Sequence, residues 1–175
     1  ALALRADLAT TARIALGRDD ALFAGAALTA EAWPRFSGLD RAAVGPRLAW
    51  QHKFGLGAFA PVLRVEFAGD AVAANESART ARAGSVIAAL RKRLDESTRV
   101  SLTHERARED ARAFVFDRTG AETSLELTRD LDERWSLAFD VRWREGGILS
   151  YATPPRPDLV SLAKIRVPNE AFRRT

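Results

Sequence analysis

Leu2-Ala3-Leu4-Arg5-Ala6-Asp7-Leu8-Ala9-Thr10-Thr11-Ala12-Arg13-Ile14-Ala15-Leu16 is the stretch that decides the fold class. Its even positions carry Leu2, Leu4, Leu8, Ile14 and Leu16. Its odd positions carry Arg5, Asp7, Thr11 and Arg13 among alanines. A period of two held this long specifies a β-strand with one apolar and one polar face. The stretch also outlasts the usual soluble strand of about 5–6 residues. Abundant alanine favours helix on propensity alone, and the alternation overrides that preference.

The same rhythm returns at Ala21–Trp33, Arg47–Phe54, Pro61–Ala71, Gly84–Leu94, Arg99–Arg106, Ala121–Arg129 and Trp135–Arg144. The gaps read as short after Leu16, Phe54, Leu94 and Arg129, and long after Trp33, Ala71, Arg106 and Arg144. The expected long loops are Pro34–Pro46, Val72–Ala83 and Ala107–Gly120, the last with a possible strand extension at Phe114-Val115-Phe116. A strand of about 11 residues tilted near 45° crosses about 25 Å, the height of the apolar band of a membrane barrel. The expectation is therefore an all-β, antiparallel up-and-down transmembrane β-barrel with about eight visible strands. Residues 1–145 hold strands and hairpins. Residues 146–175 read as a long extracellular loop or irregular tail of the same domain, with Pro154, Pro155 and Pro157 and a short helical piece at Asp158–Lys164.

On this reading the polar face lines a lumen. Its charges are Arg5, Asp7, Arg13, Glu31, Arg47, Lys53, Arg64, Glu66, Asp70, Arg91, Arg93, Glu105, Glu122, Glu126, Asp140, Arg142 and Arg144. The two signs nearly balance, as paired networks in a narrow lumen require. Trp33, Phe54, Trp135 and Trp143 stand at strand ends as an aromatic girdle would. Trp33 shares parity with Glu31, and Trp50 falls in mid-strand.

Other chemistry finds little support. The chain has no cysteine, which rules out disulfides and thiolate metal sites. No apolar run reaches the roughly 18 residues of a membrane helix. The net charge is +4, but the arginines are interleaved with acids, so no nucleic-acid partner is expected. Gly55-x-Gly57-x-x-Ala60 fits a loose dinucleotide fingerprint, but Pro61 and an alternating strand follow where a helix is needed. The two histidines, His52 and His104, share the apolar parity and read as interfacial side chains. No catalytic residue, cofactor or metal site is expected.

Turn-then-strand segments such as Leu94-Asp95-Glu96-Ser97-Thr98-Arg99-Val100 and Leu131-Asp132-Glu133-Arg134-Trp135-Ser136-Leu137 carry a further signal. With the hairpin rhythm of Leu2–Arg144, the chain resembles Gram-negative outer-membrane β-barrel proteins. That group includes families that fuse a barrel to a periplasmic repeat domain, as surface lipoprotein assembly modifiers do. The resemblance implies a bacterial outer-membrane location, lipid as partner, and a non-enzymatic, porin-like channel, a pore for a solute or polypeptide, or a structural role. It also implies an even strand number with both ends in the periplasm. Strands are then expected to be missing on both sides of this segment, giving ten or more in the parent barrel, or else the edges pair with another chain. Two readings stay open beside it. In a soluble all-β binding domain the apolar face would point inward. In an outer-membrane hydrolase a histidine would act at the lumen mouth.

Overall fold

A computed structural model describes residues 3–146, 148–151 and 170–173. Eight strands follow one another: β1 (Leu4–Ala15), β2 (Asp20–Ala32), β3 (Arg41–Lys53), β4 (Val62–Ala74), β5 (Ala81–Arg93), β6 (Thr98–Ala111), β7 (Arg118–Asp130) and β8 (Ser136–Gly146). Each pairs antiparallel with the next, giving one sheet in the order β1-β2-β3-β4-β5-β6-β7-β8. The meander is as expected. Among the described residues β1 and β8 do not pair, so the sheet is open, and both edge strands are exposed along their whole length. β9 (Ile148–Tyr151) and β10 (Glu170–Arg173) pair antiparallel with each other as a separate two-stranded sheet, in a stretch read as irregular. The Asp158–Lys164 piece lies outside the described residues.

The alternation of short and long loops does not hold. β3 begins at Arg41 rather than Arg47, β4 runs on to Ala74, β5 begins at Ala81, β6 runs on to Ala111, and β7 begins at Arg118. The three supposed long loops thus shrink to residues 33–40, 75–80 and 112–117. The connection 54–61, read as compact, is as long as 33–40. The misreading came from charge and proline. Arg82, Arg108 and Asp110 resemble loop residues, and Pro46 resembles a breaker. Pro46 in fact sits within β3, where the ladder to β4 lapses without a change of register between the pairs Val44 with Ala71 and Arg47 with Ala68. A residue without an N–H is tolerated at such a gap.

The two ends of the sheet repeat their own turn chemistry. At one end Leu16, Leu94 and Leu131 each donate an N–H to the carbonyl four residues on, at 3.1, 2.9 and 2.9 Å. Asp95 accepts the N–H groups of Ser97 and Thr98 at 2.8 and 2.7 Å, and Asp132 those of Arg134 and Trp135 at 2.7 and 2.9 Å. The Leu-Asp-Glu sequences quoted above are therefore side-chain-capped turns. At the other end every connection contains a single 3-10 turn: Ser37–Leu39, Ser77–Arg79 and Phe114–Phe116. The last was a candidate strand extension. Asp40 and Asp117 follow two of these turns and accept the N–H groups of Trp33 (2.6 Å) and Ala111 (2.8 Å). Asn75 and Arg112 then donate N–H bonds to the carbonyls of Asp40 and Thr80 in the preceding connection (3.0 and 2.7 Å), tying the three into one rim.

Candidate functional site

The site is the sheet itself, because its two faces are inverted relative to a soluble protein. The register puts Leu8 opposite Leu28, Leu48 opposite Phe67, Leu90 opposite Leu102, and Leu125 opposite both Leu102 and Val141. All lie on one face, and that face is open: Leu8 is 69%, Phe67 50%, Leu102 45% and Phe139 56% exposed. Every one of the eight strands except β2, β4 and β6 presents at least one further exposed Leu, Val, Ile, Phe or Trp there. Across the inner strands β2–β7 the polar face is the more covered one. In β3 the positions Arg41, Ala43, Gly45, Arg47 and Ala49 are less exposed than Ala42, Val44, Pro46, Leu48 and Trp50 between them. Most of the buried apolar residues lie on this face, and all of those are small or medium: Ala21, Ala49, Val72, Ala81 and Ala89.

Curvature toward the polar face explains this. A Cβ on Gly25 would land on the Thr10 carbonyl, and one on Gly45 on the Gly69 carbonyl. These two polar-face glycines let neighbouring backbones close in on the inside of the bend. Long side chains then reach across the face. The Arg64 guanidinium of β4 lies 4.6 Å from the centroid of the Phe23 ring on β2, two strands away.

All the charges assigned by parity to one face share it. Arg5 holds Asp7 (2.8 Å) and reaches Glu31 (3.4 Å), and Arg41 holds the other oxygen of Glu31 (3.0 Å), forming a chain across β1, β2 and β3. Arg47 grips Asp70 with two nitrogens, at 2.8 and 3.0 Å. Arg64 pairs with Glu66 (3.0 Å), Arg142 with Asp140 (2.7 Å), and Arg144 Nε with Glu122 (2.7 Å). Glu126 accepts from Thr128 at 3.5 Å. Arg13 faces Phe23, and Glu105 faces Ile87 and Glu122. Lys53, Arg91 and Arg93 are also on this face, grouped near the Leu-Asp-Glu end. Parity missed Arg41, Glu109 and Arg118, which had been placed in loops, and Arg99 and Asp130 at strand ends. Glu109 stands directly opposite Arg118. Extending the alternation of β6 and β7 past the charged stretch would have found both.

The aromatic residues fall at both ends of the strands. Phe54 and Trp135 flank the Leu-Asp-Glu end and are 52% and 69% exposed, while Trp143 and Trp33 lie toward the rim. Trp50 is not in mid-strand, since β3 ends at Lys53. It stacks on His52 (5.8 Å), which meets the edge of Phe54 (4.6 Å). Asp20 accepts from Trp50 Nε1 at 3.1 Å and lies 3.0 Å from His52 Nδ1. His104 lies 2.9 Å from the Thr123 hydroxyl. Both histidines are on the apolar side, as their parity implied. Extending β6 also places Arg106, Arg108 and Asp110 on the apolar side near the rim, with Arg108 paired to Asp110 at 2.8 Å, so the uncharged band narrows there.

Asp95, in the turn between β5 and β6, has its carboxyl held down to about 2. The Ser97 hydroxyl contributes most, then the Ser97 N–H, with Thr98 assisting. Among the described residues no group of three or more His, Asp or Glu side chains is placed to hold a metal ion. Among the described residues no helix is long and apolar enough to cross a membrane, which does not bear on strands. Compared with family models, curated proteins and solved structures, the chain matches none.

Proposed function

We propose that this sheet is a sector of the wall of a bacterial outer-membrane β-barrel, with its apolar face against lipid and its charged face toward the lumen. One observation carries the reading: the face bearing Leu8, Leu48, Leu102, Leu125 and Phe139 is exposed, while on the inner strands β2–β7 most positions of the charged face are the more covered ones. In water such a field would demand a covering layer. In a bilayer it is already solvated. The apolar face of β1 is uncharged from Leu4 to Ile14, which spans about 33 Å along the strand and, tilted near 45°, about 23 Å of bilayer. Aromatic residues at both strand ends suit the two interfaces.

An open sheet in hydrocarbon would leave rows of unpaired N–H and C=O groups on β1 and β8, each costing several kcal/mol. Further strands therefore close the barrel, giving ten or more in all. The wall acts as a channel, a translocation pore or a structural membrane element, without enzymatic chemistry. The ion-paired interior suits a narrow, wet lumen.

Reconstitution of the full chain into vesicles tests this. Retention of a β-rich protein in the membrane after alkaline carbonate washing is expected. Release as a folded soluble protein would contradict the reading and favour a soluble all-β domain.

A further inference from the structure

Most of the arginines on the polar face hold a carboxylate, but at one place the cations outnumber their partners. Lys53 at the end of β3, Arg91 and Arg93 at the end of β5, and Arg99 at the start of β6 line one groove of about 660 Å³. Arg93 stands directly opposite Arg99, a like-charge pairing that costs stability unless something answers it. Arg99 is paired with Asp130 at 3.0 Å. Arg93 donates to the Glu96 carbonyl at 2.9 Å and lies 5.8 Å from the centroid of the Phe59 ring. Among the described residues Lys53 and Arg91 hold no carboxylate. Glu126 is the one acid lining the groove.

The connection 54–61 supplies the remaining wall. Ala58 and Ala60 line the groove and leave room in it, while Phe59 sits under Arg93. Ser101, Thr103 and Thr128 add hydroxyl groups. Several cations, few acids and several hydroxyls around a space of small-molecule size form a site for a multivalent anion.

We infer that this groove binds a small soluble anion carrying two or more phosphate groups, held by Lys53, Arg91 and Arg93. The inference goes beyond the membrane-wall reading, since it needs only the folded sheet. The groove lies on the face opposite the exposed leucines, so the phosphates come from solution rather than from lipid headgroups.

The probe is inorganic tripolyphosphate, titrated calorimetrically into the full chain in a zwitterionic detergent. Saturable binding that weakens with added salt is expected. Lys53→Gln with Arg91→Gln should weaken it about a hundredfold, about tenfold per cation removed. Arg91→Lys should keep most of it, and Glu126→Gln should tighten it. Arg82→Gln with Arg106→Gln, on the opposite face, should leave it unchanged, with far-ultraviolet circular dichroism confirming strand content throughout. Absence of binding, or equal weakening by both double variants, would overturn the inference. Vesicle retention is measured separately, so either result leaves the barrel reading to its own test.

Discussion

Arg47 and Asp70 lie diagonally across β3 and β4 where the ladder between those strands lapses, joined by two nitrogen–oxygen contacts of 2.8 and 3.0 Å. Arg47 also donates to the Pro46 carbonyl at 3.0 Å. The fork thus bridges a gap that Pro46 opens by lacking an N–H. Both side chains are largely covered, at 27% and 18% exposure.

Asp70→Ala should therefore destabilise by about 2 kcal/mol, because it strands a half-covered guanidinium. Asp70→Ala with Arg47→Met should recover much of the loss, since no charge is then left unpaired. Urea titration of folding into vesicles checks both. Equal loss in single and double variants would show that the pair does not bridge the gap.

Gly25→Ala and Gly45→Ala should each fold poorly, because the added methyl meets a neighbouring carbonyl that belongs to backbone. A cost of about 3 kcal/mol or more is expected. Gly17→Ala in the first turn has nothing within 4 Å of its new methyl and should be neutral or slightly stabilising. The contrast, read from urea midpoints, checks the curl of the sheet toward its polar face.

Leu102→Arg or Phe139→Arg should cost about 2–4 kcal/mol on folding into lipid. Thr103→Arg or Ala138→Arg, one residue along on the opposite face, should cost less. Equal penalties would count against lipid on the apolar side.

Asp95 should titrate with acid. Its folded value is depressed to about 2 by Ser97 and Thr98, below an unfolded value of 3.8. The sign follows from linkage: its contribution is full above pH 4 and fades as pH falls toward 2. The urea midpoint of Asp95→Ala should trail that of the unmodified chain at pH 7 and approach it near pH 2. A gap unchanged across that range would mean the cap is not what holds the turn.

The number, order and facing of the eight strands of the main sheet were legible because a period of two survives substitution by alanine, as β1 and β2 demonstrate, whereas β9 and β10 fell in a stretch read as irregular. Strand length was less so. Arg41, Arg82, Glu109 and Arg118 look like loop residues, and only pairing with neighbours makes them strand. Pro46 misled for the same reason: its tolerance depends on a gap in the ladder between β3 and β4, which the local sequence does not reveal. The rim was hidden because Ser37-Gly38-Leu39, Ser77-Ala78-Arg79 and Phe114-Val115-Phe116 share a conformation but not a composition. The anion groove needed the connection 54–61 to bring Phe59 under Arg93, a contact that no local pattern encodes.

The central claim is that lipid lies against the apolar face. The chain has no cysteine, so single cysteines can be placed at Leu102 and Leu125, which pair in register, and at Thr103 and Ser124, which pair on the opposite face. Each is labelled with bimane and reconstituted into vesicles of brominated or ordinary lipid. Strong bromine quenching is expected at 102 and 125 and little at 103 and 124, where aqueous iodide should quench instead. Quenching by lipid at 103 and 124, or no difference between the two pairs, would contradict that claim.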